Sequence, residues 1–237
     1  MVRFQTFERL GVAVASFSEK SDGDCCHRGD VPGVAAENRD RVCGLCGVNA
    51  RDLVCAQQVH GTVVACVGEQ DRGRGTRPEG SAFPTTDGMV TNVPGLPLAV
   101  FVADCVPVYL FEARLRVGGL VHAGRAGTLL NIVGEAFTVL TRVYGTRAGD
   151  IHALIGPSAG PCCYEVTEEM AGAFERAGGI RQGRHLDLWE TNALQLAAAG
   201  VPRSQISVTG CCTICSGRFY SYRSHDPDGR NMALMVL

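Results

Sequence analysis

The sequence predicts an α+β fold in which layered mixed β-sheets are flanked by helices, in a single domain spanning residues 1–237. Three observations lead there. Short apolar runs rich in β-branched residues are interspersed with helix-spaced segments, the two kinds do not follow a strict βαβ alternation, and no Pro/Ser-rich or charged linker divides the chain. With 46% hydrophobic residues the chain can bury a large core. No internal repeat of about 20 to 50 residues suggests a solenoid.

Residues 4–17 alternate or run apolar and predict a strand, followed by a polar loop over residues 18–33 that carries glycines and cysteines. Residues 38–47 predict a short helix stopping at Gly47. Residues 53–67 predict a strand pair interrupted at His60-Gly61, and the Gly- and Arg-dense residues 68–84 predict a mobile loop. Apolar runs at residues 96–103 and 106–111 are split by Asp104 and Cys105, so an acid and a thiol stand where a strand breaks or bulges. The strongest helix signal is the spacing of Leu129, Ile132, Val133, Ala136, Phe137, Leu140 and Val143, with Thr128 as N-cap and Gly145 as stop. Residues 151–155 predict a buried strand, and Thr167-Glu168-Glu169 opens a helix ending near Gly178. Residues 187–199 predict another helix closed by Gly200, and residues 205–209 return to strand.

A formal net charge of −2 offers no electrostatic footprint for nucleic acid or an anionic membrane, which leaves small-molecule chemistry as the expected class. Residues 1–17 contain Glu8 and Arg9 in place of a continuous apolar signal segment, and no apolar run approaches about 18 residues. The expectation is a cytoplasmic chain with no membrane partner. Its 12 cysteines are then expected to be thiols, serving metal binding or catalysis rather than a disulfide framework.

His60, Cys105 and His122 are the candidate metal ligands. They stand in Gln57-Gln58-Val59-His60-Gly61, Ala103-Asp104-Cys105-Val106-Pro107 and Val121-His122-Ala123-Gly124, the last two beside runs that read as buried strands. Two imidazoles and a thiolate leave one position of a tetrahedral zinc for water or substrate, the mark of a catalytic rather than a structural site. The alternative is a thiol buried as a small hydrophobe beside hydrogen-bonded histidines. After His122, the glycine-bearing turn Ala123-Gly124-Arg125-Ala126-Gly127-Thr128 feeds a helix, an arrangement suited to an anion. Phe219-Tyr220-Ser221-Tyr222-Arg223 with Gly229-Arg230 brings together rings that can stack on a base and guanidinium groups that can clamp phosphate. Glu165, in Cys163-Tyr164-Glu165, could bring a carboxylate to the site or merely open a strand. Cys43-x-x-Cys46 and Cys212-x-x-Cys215 have the spacing of a four-cysteine zinc site, the alternative being that Cys43 and Cys46 fall within a helix, whereas the adjacent pairs Cys25-Cys26 and Cys162-Cys163 predict at least one incidental member each.

Taken in order, a series of short segments resembles the laccase-domain family of multicopper polyphenol oxidoreductases, whose members are regarded as purine nucleoside phosphorylases with adenosine deaminase activity. The segments are Asn38-Arg39, Gln58-Val59-His60-Gly61, Thr86-Asp87-Gly88 with Thr91, Ala103-Asp104-Cys105-Val106-Pro107, Val121-His122-Ala123-Gly124, Ile155-Gly156-Pro157, Cys163-Tyr164-Glu165-Val166, Leu186-Asp187-Leu188, Cys212-Thr213 and Tyr220-Ser221-Tyr222-Arg223 with Gly229-Arg230. They run collinearly from about residue 38 to the end. Two places depart from the family pattern. Arg125-Ala126 stands where Trp-Arg is usual, and the N-terminal arginine, paired glycines and serine have no clear counterpart beyond Ser16-Phe17-Ser18.

The resemblance implies a zinc, with copper as the alternative, held by His60, Cys105 and His122 in a cleft for purine nucleosides with phosphate as co-substrate. Adenosine, inosine and methylthioadenosine are the expected substrates. For deamination, Asp104 or Glu165 is the expected proton shuttle. For phosphorolysis, Arg125, Thr128, Arg223 and Arg230 are the expected phosphate and substrate contacts. The rivals are a metal-free cysteine hydrolase with Cys105 as nucleophile and His122 as base, a copper-dependent polyphenol oxidase, and a non-catalytic metal- or nucleoside-binding protein.

Overall fold

The computed structural model describes residues 1–26, 33–76, 82–224, 226 and 228–237. The first half comprises β1 (Val2–Arg3), α1 (Gln5–Glu8), β2 (Val14–Phe17), α2 (Val34–Leu45), β3 (Val54–Cys55), β4 (Val64–Cys66), β5 (Gly88–Thr91), β6 (Leu98–Val102), β7 (Val106–Glu112) and β8 (Val117–Ala123). It continues with α3 (Arg125–Leu129), α4 (Ile132–Tyr144), β9 (Ile151–Ile155), α5 (Glu168–Arg176), β10 (Ile180–Gln182), β11 (His185–Asp187), α6 (Leu188–Ala198), β12 (Ile206–Val208) and β13 (Asn231–Val236). A five-stranded mixed sheet has the order β1-β2-β13-β6-β3, a six-stranded mixed sheet the order β12-β9-β7-β8-β5-β4, and β10-β11 form a hairpin. The α+β expectation is met.

The strands are apolar on both faces because both faces are covered. Along β7, Val108 and Leu110 join the core under α4, α5 and α6, whereas Tyr109 and Phe111 join the core between the sheets. Along β13, Met232 and Leu234 face α2, and Ala233 and Met235 face the inter-sheet core. The layers therefore run α2, five-stranded sheet, six-stranded sheet, helices. No helix of the described residues is long and apolar enough to cross a membrane.

Several elements differ from the sequence expectation for identifiable reasons. Residues 4–17 are not one strand: α1 intervenes, and its i, i+3 spacing lays Phe4 and Phe7 edge-on to Tyr109 at centroid distances of 5.4 and 6.4 Å. The predicted pair in residues 53–67 separates, β3 joining β6 and β4 joining β5 in the other sheet. The helix expected from Thr128 is broken at Asn131, whose left-handed backbone (φ 60°) and side-chain oxygen cap α4 at Gly134 N, 3.2 Å away. Gly145 does end it, with φ 71°. Residues 77–81 of the predicted mobile loop lie outside the described residues. β5, the β10-β11 hairpin and β13 have no counterpart in the sequence prediction; β5 and the hairpin strands are short, and β13, buried along its whole length, shows no alternation of apolar and polar residues.

Candidate metal centre and cleft

His60 and Cys105 both sit where the chain crosses from one sheet to the other, His60 between β3 and β4 and Cys105 between β6 and β7. Those crossings bend sharply: His60 has φ 63° and Asp104 has φ 76°, left-handed values that cost a non-glycine residue free energy and persist where surrounding contacts enforce them. The enforcing contacts are visible. Asp87 accepts backbone N–H groups from Val59, His60 and Gly61 at 3.2, 2.9 and 2.8 Å. Asp104 accepts from Thr213 Oγ1 at 2.7 Å and from Arg223 N at 2.9 Å. The Gln58 amide bonds Phe101 in both directions at 2.8 and 2.9 Å, fastening the His60 crossing to β6.

His122 arrives from sheet register. It pairs with Pro107 across β7, and its N–H donates to Asp87 O at 2.7 Å, extending the β5-β8 ladder by one residue. Side-chain alternation puts His122 on the Leu120 face, between the sheets. The ligand atoms of His60, Cys105 and His122 all lie within 4.8 Å of one another, and the two imidazole rings meet edge to face with centroids 4.8 Å apart. Gly124 completes the fit, since a Cβ there would stand 2.6 Å from His60 Cδ2 and 3.2 Å from Cys105 Sγ.

The electrostatics suit a metal. Burial pushes the Cys105 thiol up, but its contacts with His122 and His60 outweigh this and bring it down to about 6. Burial pushes His122 down, but Cys105 and Asp87 raise it to about 9. Asp87 is held below the usual carboxylate range, because bonds from His122 and the Gly61 and Val59 N–H groups outweigh burial. The 2.8 Å bond from Asp87 Oδ1 to His122 Nδ1 commits that nitrogen and leaves Nε2 for the site. Two imidazoles and a thiol held down toward thiolate form a donor set that fits zinc or copper.

The trio opens on a cavity of about 510 Å³ whose lining includes Arg125, Arg223, Arg230, Tyr164, Tyr222 and Asp104. The Arg223 guanidinium lies 5.0 Å over the Tyr164 ring and donates to Glu165 O at 2.9 Å. Two expected contacts fall elsewhere. Thr128 is fully buried, its hydroxyl accepting from Asn192 at 3.1 Å, and it does not line this cavity. The Glu165 carboxylate pairs with Arg184 and borders a separate, shallower depression. Sequence reasoning assigned no role to Asp87, Gln58 or Tyr164, although all three fall in the segments that carry the resemblance. Cys43-x-x-Cys46 and Cys212-x-x-Cys215 do not come together, and the helix alternative for the first pair is the one met at Cys43. Cys43 lies in α2 and Cys46 caps its end, whereas Cys212 and Cys215 gather with Cys162 and Cys163.

A family model described as multi-copper polyphenol oxidoreductase laccase matches residues 4–237. The chain belongs to this family. Within curated relatives, a Geobacillus stearothermophilus protein named purine nucleoside phosphorylase YlmD is 35% identical over 221 residues, covering 88% of this chain and 81% of the relative. A Bacillus subtilis protein of the same name is 33% identical over 241 residues, covering 97% of this chain and 86% of the relative. The crystal structure of YlmD from Geobacillus stearothermophilus superposes with a TM-score of 0.87 at 33% identity, over 94% of this chain and 91% of that one. That of the Bacillus licheniformis hypothetical protein YfiH also gives 0.87, at 32% identity, over 94% and 92%. The family fold thus extends over nearly all of the chain.

Proposed function

We propose that the chain is a purine nucleoside phosphorylase that also deaminates adenosine, using a zinc held by His60, Cys105 and His122. The observation that carries this reading is the convergence of the three ligands beside a cavity lined by three arginines and two tyrosines. The relatives' printed name, purine nucleoside phosphorylase, supports the substrate class. Zinc is preferred to copper because both proposed reactions call for Lewis acidity and a polarised water and neither needs a redox-active ion.

When bound, the metal supplies Lewis acidity. In phosphorolysis an oxygen of phosphate attacks C1′ of the ribose while the bond from C1′ to N9 breaks and the base leaves with the electron pair. Arg125, Arg223 and Arg230 hold the anion, and the Tyr164 and Tyr222 rings offer faces for the base. In deamination water adds at C6 and ammonia leaves. The proton shuttle is assigned to Asp104, the one of the two candidate carboxylates that lines the cavity. Asp104 also anchors the Arg223 backbone, so it positions as well as shuttles.

The test is incubation of purified protein with adenosine, inosine or methylthioadenosine, with phosphate present or omitted, and chromatography of the products. Free base and ribose 1-phosphate, or 5-methylthioribose 1-phosphate from methylthioadenosine, are expected only with phosphate, and inosine from adenosine in either case. A metal-loaded protein that turns over none of these nucleosides would sink the proposal.

One observation favours a second reading. Cys105, His122 and Asp87 are linked in the order nucleophile, base and orienting carboxylate, the arrangement of a cysteine hydrolase. Stoichiometric zinc ligated by Cys105 in the freshly purified protein, read as one zinc per chain lost in Cys105→Ser, would exclude a free Cys105 nucleophile.

A further inference from the structure

We propose that Cys162, Cys163, Cys212 and Cys215 form a second metal site, a structural tetrathiolate zinc centre, which clips together two loops that support the wall of the cleft. The four sulfurs lie within 4.8 Å of one another, and none of these residues belongs to the His60-Cys105-His122 centre. A tetrahedral zinc with bonds of about 2.3 Å separates its sulfurs by about 3.8 Å. Cys162 Sγ and Cys215 Sγ are 3.9 Å apart, close to that spacing and far from the roughly 2.05 Å of a disulfide. All four are free thiols.

Local backbone explains how adjacent cysteines can share one ion. Cys162 and Cys163 do not lie in a strand, where successive side chains diverge, but in a tight turn in which Cys163 N and Tyr164 N both donate to Gly160 O, at 3.0 and 2.9 Å. On this proposal neither member of the pair is incidental, because the turn lifts the restriction that regular structure would impose. Cys212 and Cys215 flank a turn closed by Ser216 N to Cys212 O at 3.2 Å. Gly160 N–H donates to Cys212 Sγ at 3.3 Å, the kind of backbone contact that orients a thiolate ligand. Cys162 and Cys215 are exposed, so hydrophobic burial does not account for the cluster.

The placement gives the site its consequence. Tyr164, which follows Cys163, supports the Arg223 guanidinium, and Thr213, between Cys212 and Cys215, holds Asp104 at 2.7 Å. Ser224 Oγ bonds Ile214 O at 2.9 Å, tying the Arg223 segment to the same turn. A metal joining the two loops fixes three contacts of the cleft wall without touching the reacting atoms.

The test uses the full chain carrying Cys105→Ser, which removes the other centre. Prepared with zinc and reductant and then desalted, it is expected to retain about one zinc per chain, with X-ray absorption showing four sulfurs at about 2.3 Å. Adding Cys212→Ser and Cys215→Ser should lower retained zinc at least tenfold. In case those variants fail to fold, thiol alkylation of the unaltered chain supplies an independent reading. The four cysteines should be protected together with zinc and labelled together after chelation. Folded Cys105→Ser protein without zinc, a zinc shell dominated by nitrogen or oxygen, or a disulfide among the four in freshly prepared reduced protein would each overturn the proposal. None of these readouts depends on nucleoside turnover, so they stand or fall apart from the proposed activity.

Discussion

Asp87 and His122 are joined twice, by Asp87 Oδ1 to His122 Nδ1 at 2.8 Å and by His122 N to Asp87 O at 2.7 Å. The same carboxylate collects the N–H groups of Val59, His60 and Gly61, so one fully buried acid orients two of the three candidate ligands. Asp87→Asn keeps the volume and most of the acceptor function but loses the charge beside His122. Metal affinity, measured by competition with a chelator, should fall about 10- to 100-fold with the fold intact. Unchanged affinity would remove Asp87 from the account of the centre.

Cys105→Ala should abolish metal retention at the trio and nucleoside turnover while leaving the circular dichroism spectrum close to that of the parent, because the ligands are mounted on a core that forms without them. Metal analysis and the product assay check both halves. Parental activity in this variant would eliminate the zinc mechanism and the cysteine nucleophile together.

Gly124→Ala should disturb the centre without disturbing the helix that follows. Gly124 has φ −71°, which alanine tolerates, so the damage comes from a Cβ placed 2.6 Å from His60 Cδ2. A ligand displaced by about 1 Å can cost on the order of 100-fold in turnover. A variant with full activity and metal content would show that the His60 ring can give way.

The pH dependence of alkylation reports on the thiol in metal-free protein. With Cys105 brought down to about 6 and His122 raised to about 9, thiolate and imidazolium coexist between those values. As a group with a lowered pKa, Cys105 carries its charge above about 6 and loses it as pH falls through that value. Its labelling by iodoacetamide, followed by mass spectrometry, should therefore rise with a midpoint near 6. Cys25, Cys43 and Cys55, pushed up to about 12 chiefly by burial, should stay unlabelled at neutral pH. A Cys105 midpoint near the ordinary thiol value would contradict the pairing.

Arg125→Ala should raise the KM for phosphate by about 10- to 150-fold, the range expected for a charge-assisted hydrogen bond of roughly 1.5 to 3 kcal/mol. Deamination, which uses water, should change far less. Equal loss in both reactions would give Arg125 a structural role, and no loss in either would leave phosphate to Arg223 and Arg230.

The parts of this molecule legible in its sequence are those written in local pattern. The break at Asp104-Cys105, the strand at residues 151–155, the helix starts at Thr167 and Asp187 and the Gly145 stop follow from side-chain period, capping chemistry and glycine, which act within a few residues. The identities of His60, Cys105 and His122 were equally readable, as residue types able to bind a soft or borderline metal in the contexts that carry the family resemblance. What only tertiary structure decided is which distant groups meet. Asp87 reaches His122 through sheet register, Asp104 reaches Thr213 across 109 positions, and Thr128 turns toward Asn192 instead of the cleft. Cys212 and Cys215 likewise gather with Cys162 and Cys163 rather than with Cys43 and Cys46. Sequence specifies the period and chemistry of each segment, but the pairing of segments far apart along the chain depends on how two sheets cross and which turns face each other, and that geometry exists only once the layers have packed.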